Sequence, residues 1–191
     1  MKVIVIACAT LVTAAAEAQV GANPAGANPA TPGIEATRPR PDEANSQDML
    51  FLRLAHIGNT AEVALAKLAR SRGADADVKA FADRMASEHD ASLGKLRPLM
   101  QRANTPAPRD LDPEHKDIQA ALGKLNGAAF DTAYIRAQVA DHQKTAQLLQ
   151  WQIAFGQSEP IKAYSKQTLP AVLSHLEHAR NLNAKLTGAA P

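Results

Sequence analysis

The chain has 191 residues, enough for one ordinary domain with a tail. Its hydrophobic content is 46% but aromatics supply only 4%; with β-branched residues also sparse, a sheet is excluded and an all-α fold is expected. A formal charge of +2, with no long basic block, excludes a nucleic-acid footprint.

Residues 1–18 read as an export signal. Lys2 is followed by the apolar run "VIVIACATLVTAAA" and then by the small-residue site Ala16-Glu17-Ala18, so cleavage is expected after Ala18. The run is too short for a comfortable membrane span, and no later segment reaches 18 apolar residues, so the mature chain carries no transmembrane segment. Cys8 could alternatively be a lipid-anchor cysteine, but too few apolar residues precede it. When Cys8 leaves with the signal, disulfides, thiolate catalysis and cysteine metal sites leave with it. The expected location is periplasmic or secreted. Residues 19–45 are rich in Pro, Gly and Ala without apolar period, and read as a flexible linker.

A helical domain is expected over 46–187. The first helix starts at Ser46, carries Phe51, Leu54, Ala61, Leu65 and Leu68 on one stripe, and stops at Gly73. Asp75 caps the second, whose stripe is Val78, Ala82, Met85, His89, Leu93, Leu96 and Met100; Pro98 predicts a kink or an early end. Asp112, Pro113 and Glu114 open a short helix to about Leu125, which Asn126-Gly127 breaks. The third long helix spans about Ala128 to Phe155, with Ile135, Val139, His142, Ala146, Leu149 and Ile153 aligned, and ends at Gly156. Ser158 caps the fourth, about Glu159 to Leu186, with Ile161, Thr168, Val172, His175, Ala179 and Leu182 in line and Pro170 bending it. "VKAF" and "IKAY" stand 83 residues apart after similar glycine turns, which suggests one helical hairpin used twice. The expected architecture is an up-down-up-down four-helix bundle with a short extra helix in the middle connection.

Each long helix places one metal-capable side chain on or beside its core face: Glu62, His89, His142 and His175. Measured from the glycine turns, and taking both turns to share one end, the four lie about 17 to 24 Å from that end. Glu62 stands one step off the centre of its stripe, where it could point to water. Three neutral imidazoles and a carboxylate suit Zn²⁺, Cu²⁺ or Fe²⁺. A single histidine on a helix face is an ordinary core or boundary residue; the common level is what groups these four. His56 falls off its stripe, His115 is expected exposed, and His178 could join a site or lie on a solvated edge. Glu88, Asp90, Asp141 and Glu177 are assigned to the solvated face, because adjacent helical positions point about 100° apart.

The segments "AEVALAKLA", "VKAFADRMASEH", "LDPEHK", "GAAFDTAYIRAQVADHQKT" and "TLPAVLSHLEHA" resemble the secreted ferritin-like family called domain of unknown function 4142, over roughly Met49 to Leu186. The resemblance implies a periplasmic ferritin-like four-helix bundle whose recurring polar positions match Glu62, His89, His142 and His175; it implies no activity. Di-iron ferritins use Glu-x-x-His on two helices, whereas Ala86, Val139 and Val172 stand three residues before the histidines here, so no di-iron centre is expected. Two functions remain open: a metal-binding protein for buffering or envelope stress, and a non-catalytic module that binds an envelope protein with the four polar residues as hydrogen-bonded core groups. An enzyme is the weakest reading, since no nucleophile elbow, phosphate loop or paired-carboxylate motif is present.

Overall fold

A computed structural model describes residues 40 and 42–188. The expected signal at 1–18, Cys8 and most of the expected linker lie outside the described residues. All regular structure among them is helical: α1 (Ser46–Arg72), α2 (Ala76–Arg102), α3 (Pro113–Leu122), α4 (Gly127–Phe155) and α5 (Glu159–Thr187). None of these helices is long and apolar enough to cross a membrane. The four long helices pack side by side, α1 on α2 and α4, and α5 on α2 and α4.

The ends are set by local chemistry. Asn45 accepts from the Asp48 N–H while Asp48 accepts from the Asn45 N–H, a reciprocal cap at 2.9 and 3.0 Å. Asp75 takes the N–H groups of Asp77 and Val78, and Asp112 that of His115. Gly123 closes α3 at Leu122, three residues short of the expected end. Helix α2 runs through Pro98 to Arg102, so the proline does not end it; the ring sits on an exposed face. Ser158 occupies the N-cap of α5 but its hydroxyl makes no cap bond.

A more distant group does that work. The buried carboxylate of Asp48 in α1 accepts from the backbone N–H groups of Gln157 and Ser158 at 3.2 and 3.1 Å, and from the Gln152 side chain. Asp131 in α4 does the same for the other hairpin, accepting from Ala74 and Asp75 at 2.8–3.2 Å. The two aspartates, their donors and the glycine turns are each 83 residues apart, the offset of "VKAF" and "IKAY". Glycine is needed at position 73 for space, since a Cβ there would stand 2.7 Å from the Ala69 carbonyl oxygen and 2.8 Å from Asp131. Replacing Asp131 by alanine strands two N–H donors of the turn and is expected to cost about 3 kcal/mol in urea unfolding, with Asp131→Asn intermediate.

These crossed caps correct the expected helix order. α1 begins where α4 ends, and α4 begins where α1 ends, so α1 and α4 are antiparallel while α2 and α4 run in the same direction. The path is up-down-down-up, with 103–126, including α3, crossing the length of the assembly. The two glycine turns therefore lie at opposite ends. Glu62, His89, His142 and His175 still fall at a similar height, because each stands close to the midpoint of a helix roughly 40 Å long.

The core falls into two apolar clusters. One gathers Leu65, Val78, Phe81, Met85, Ile135 and Leu182; the other Phe51, Leu52, Leu96, Leu149, Tyr164 and Val172. On every long helix the passage from one cluster to the other is interrupted by a buried polar residue: Asn59 and Glu62, His89, Gln138 and His142, and His175. A polar layer thus cuts the core in half. On α1, Phe51, Ala61 and Leu65 are buried as expected, but Leu54 is 40% exposed while Leu52 and Glu62 are buried.

Candidate metal centre

The polar layer brings His89, His142 and His175 together. All three are buried, their ring centroids are 5.3–5.5 Å apart, and one ligand nitrogen from each lies within 4.8 Å of the others. Glu62 is just as buried but joins a second group with Asp141 and His142; its Oε1 is 4.0 Å from His142 Nδ1. His56 and His178 stand outside both groups, and the His178 ring packs edge-on against Phe81.

Each ring is fixed by its other nitrogen. Asn59 donates from Nδ2 to the Ala55 carbonyl at 2.7 Å, so its Oδ1 is the acceptor for His89 Nδ1–H at 2.9 Å. His142 donates from Nδ1 to the Gln138 carbonyl at 3.0 Å, a group that can only accept. His175 donates from Nε2 to the Glu88 carboxylate at 2.8 Å. Three different acceptors, each on a different helix turn, therefore set three tautomers. What remains is Nε2 of His89, Nε2 of His142 and Nδ1 of His175, each a bare lone pair without a hydrogen-bond partner. Buried lone pairs without donors are costly unless something else receives them.

The electrostatics keep these rings neutral. Burial, with the neighbouring His142 and His175, pushes His89 down to about 3. Burial pulls His142 down to about 4 against the pull of Asp141, and lowers His175 against Glu88. Beside them, burial and the charge of Asp141 raise Glu62 well above its ordinary value, which favours its protonated form. Gln138 donates to Glu62 Oε2 at 2.7 Å. Asp141 is buried too, which raises it, yet the hydrogen bond and charge of His115 bring it below the ordinary aspartate value. His115 reaches Asp141 with Nε2 at 3.3 Å and Asp112 with Nδ1 at 2.7 Å. The Asp141 bond lifts His115 to about 9 against the cost of burial, with Asp112 adding to it, so this ring is an imidazolium.

Three expectations are corrected here. His115 is not exposed: its side chain keeps 13% of its surface and pins the crossover helix to α4. Asp141 does not belong to the solvated face and lies against Glu62; Glu88, with 41% of its side chain exposed, stays at the surface but turns its carboxylate from α2 to His175 on α5. The count of one carboxylate near the histidines becomes three, with Glu62, Asp141 and Glu88. Asn59 and Gln138, which orient His89 and Glu62, were not singled out by sequence at all. Asn59 lies three residues before Glu62 on the same helix face, and that spacing is the signal that could have found it.

Outer partners of this kind typically tune metal affinity by about 10–100-fold. Asn59→Ala leaves His89 free to rotate and to change tautomer, and is expected to weaken Co²⁺ binding by about tenfold in chelator competition while the far-UV spectrum is kept.

Helices around a buried histidine layer define the class: an all-helical domain with no strand among the described residues. The chain belongs to the family described as domain of unknown function (DUF4142), whose profile matches residues 35–182. Among solved structures it is similar to the DUF305 fragment from Deinococcus radiodurans, at 14% identity and TM-score 0.67, over 75% of this chain and 99% of that one. It is also similar to a DUF305 protein from Streptomyces coelicolor, at 17% identity and TM-score 0.65, over 75% and 94%. At these identities the likeness speaks to the helical fold alone. No curated protein matches the chain in sequence.

Proposed function

We propose that the protein is an exported, ferritin-like four-helix bundle that holds one divalent transition metal ion on His89, His142 and His175, and buffers that metal in the cell envelope. The observation that carries this reading is the set of three bare, inward lone pairs, each on a ring whose other N–H is locked to an acceptor. That is the arrangement by which ligating histidines are oriented in metal sites. Neutral imidazoles suit Zn²⁺, Cu²⁺ or Fe²⁺.

Glu62, placed beside the Nδ1 side of His142, serves in this reading as a neighbour and not as a direct ligand. One ion is proposed and not two, because Asp141 is already neutralised by His115 and Glu62 by its own proton. Three protein ligands leave a fourth position for water or an outside molecule. Export rests on the N-terminal sequence, with its charged start, apolar run and Ala-Glu-Ala site.

Mature protein purified without chelator is expected to carry close to one equivalent of metal. His89→Ala, His142→Ala and His175→Ala are each expected to lose it. Equal, sub-stoichiometric metal in wild type and all three variants would leave the second function, a metal-free module for an envelope partner, as the better account.

A further inference from the structure

A cavity of about 200 Å³ opens beside the histidines, toward the apolar cluster of Phe51, Leu149, Tyr164 and Val172. His89, His175 and Asn59 line its polar end. The space has a sequence origin. The 83-residue offset relates the two hairpins and exchanges the two apolar clusters, matching Phe81 to Tyr164, Tyr134 to Phe51 and Val78 to Ile161.

Under that relation the wall of the cavity is built from the small counterparts of the large residues that make the metal layer. Ala55 corresponds to Gln138, Gly58 to Asp141, Asn59 to His142, Ser92 to His175, Thr145 to Glu62 and Val172 to His89. One half of a duplicated fold is filled with ligands and their partners, and the other half is hollow at the same six positions. A cavity of roughly 150 Å³ is enough to hold a benzene ring.

We infer that this cavity is a binding chamber for a small neutral ring compound with an apolar body and one lone-pair nitrogen or oxygen, its donor end directed at the fourth position of the histidine site. The chamber end rests on the proposed metal site; the apolar end does not. Neutral is specified because the interior polar pair, Ser92 and Tyr164, is spent on itself at 2.6 Å. The charged groups lining the chamber are already engaged or lie outward: Asp141 is paired with His115 and Glu88 with Arg84 and His175, while Lys95 is on an exposed position.

The test uses 4-methylpyrazole as the probe, with mature protein in metal-free and Co²⁺-loaded forms. Binding is expected to raise the melting temperature of the metal-free form and, in the loaded form, to shift the visible Co²⁺ spectrum as well. Gly58→Leu fills the wall, since a Cβ at Gly58 meets nothing within 4 Å. Thr168→Met fills it from α5 with the residue that stands at the corresponding position 85. Either variant is expected to bind the probe at least about tenfold more weakly while binding Co²⁺ as wild type does. Undiminished probe binding in both variants, or none to either form of wild type, overturns the chamber. If Co²⁺ fails to bind at all, the metal reading falls, and the metal-free arm still decides the cavity.

Discussion

His142→Ala is expected to lower Zn²⁺ affinity by more than about a hundredfold, since even a lost outer partner typically costs about 10–100-fold. His142 is the most informative position because it is 1% exposed and belongs to both the histidine triad and the group with Glu62 and Asp141. Wild type in Zn²⁺ at a hundred times its Kd gains about 2.7 kcal/mol, since the ion binds the folded chain alone. For a domain of this size that corresponds to roughly 5–10 °C in melting temperature. The variant should gain no more than about 0.4 kcal/mol at the same Zn²⁺ concentration, whatever its own starting stability. His178→Ala is the matched control, because His178 packs on Phe81 away from the site, and it should keep the full shift. A Zn²⁺-dependent shift of equal size in His142→Ala would place the metal elsewhere.

The second large effect is on acid stability of the metal-free protein. His89 is pushed down to about 3 and His142 to about 4, while in the unfolded chain both titrate near 6.5. Below 6.5 the unfolded state therefore binds more protons than the folded one, and stability falls as pH falls. The loss runs from about 6.5 down to the folded values, at about 1.4 kcal/mol per pH unit for each histidine. His115 has the opposite sign: lifted to about 9, it contributes below 6.5 and loses that contribution as pH rises through 9. Glu62, protonated in the fold, also favours low pH and partly offsets the acid limb. Stability should be greatest near pH 6.5 to 7 and decline on both sides. In His89→Gln the acid limb should flatten by one histidine's slope, while in His115→Gln the alkaline decline should disappear. Urea midpoints at constant ionic strength from pH 4 to 9 check both, and an acid limb unchanged by His89→Gln would contradict the assignment.

What the sequence made legible was local. Gly73, Asp75, Asp112 and Gly156 mark helix ends because caps and turns are decided by a few neighbouring residues. At the start of α1 Leu54 was taken for the buried Leu52, because "MLFLRLA" offers apolar residues at almost every position and the period alone does not choose between them. The direction of α4 was not legible because it depends on how far residues 103–126 travel, which no local pattern fixes. The four polar residues shared a level despite that error, because a point near mid-helix is almost equally far from both ends. Asp141 and Glu88 were missed for a geometric reason: a residue one step from the core face flanks the neighbouring helix, and its carboxylate can reach across. Rotation of each helix by a fraction of a turn decides this, and period alone does not report it.

The claim at the centre is that three imidazoles, from α2, α4 and α5, hold one ion. Zn K-edge absorption fine structure on mature protein loaded with one equivalent of Zn²⁺ tests it most directly. The account predicts three histidine nitrogens at about 2.0–2.1 Å, with the fourth position taken by a single oxygen donor. A shell dominated by carboxylate oxygens, or one unchanged in His142→Ala, would contradict it.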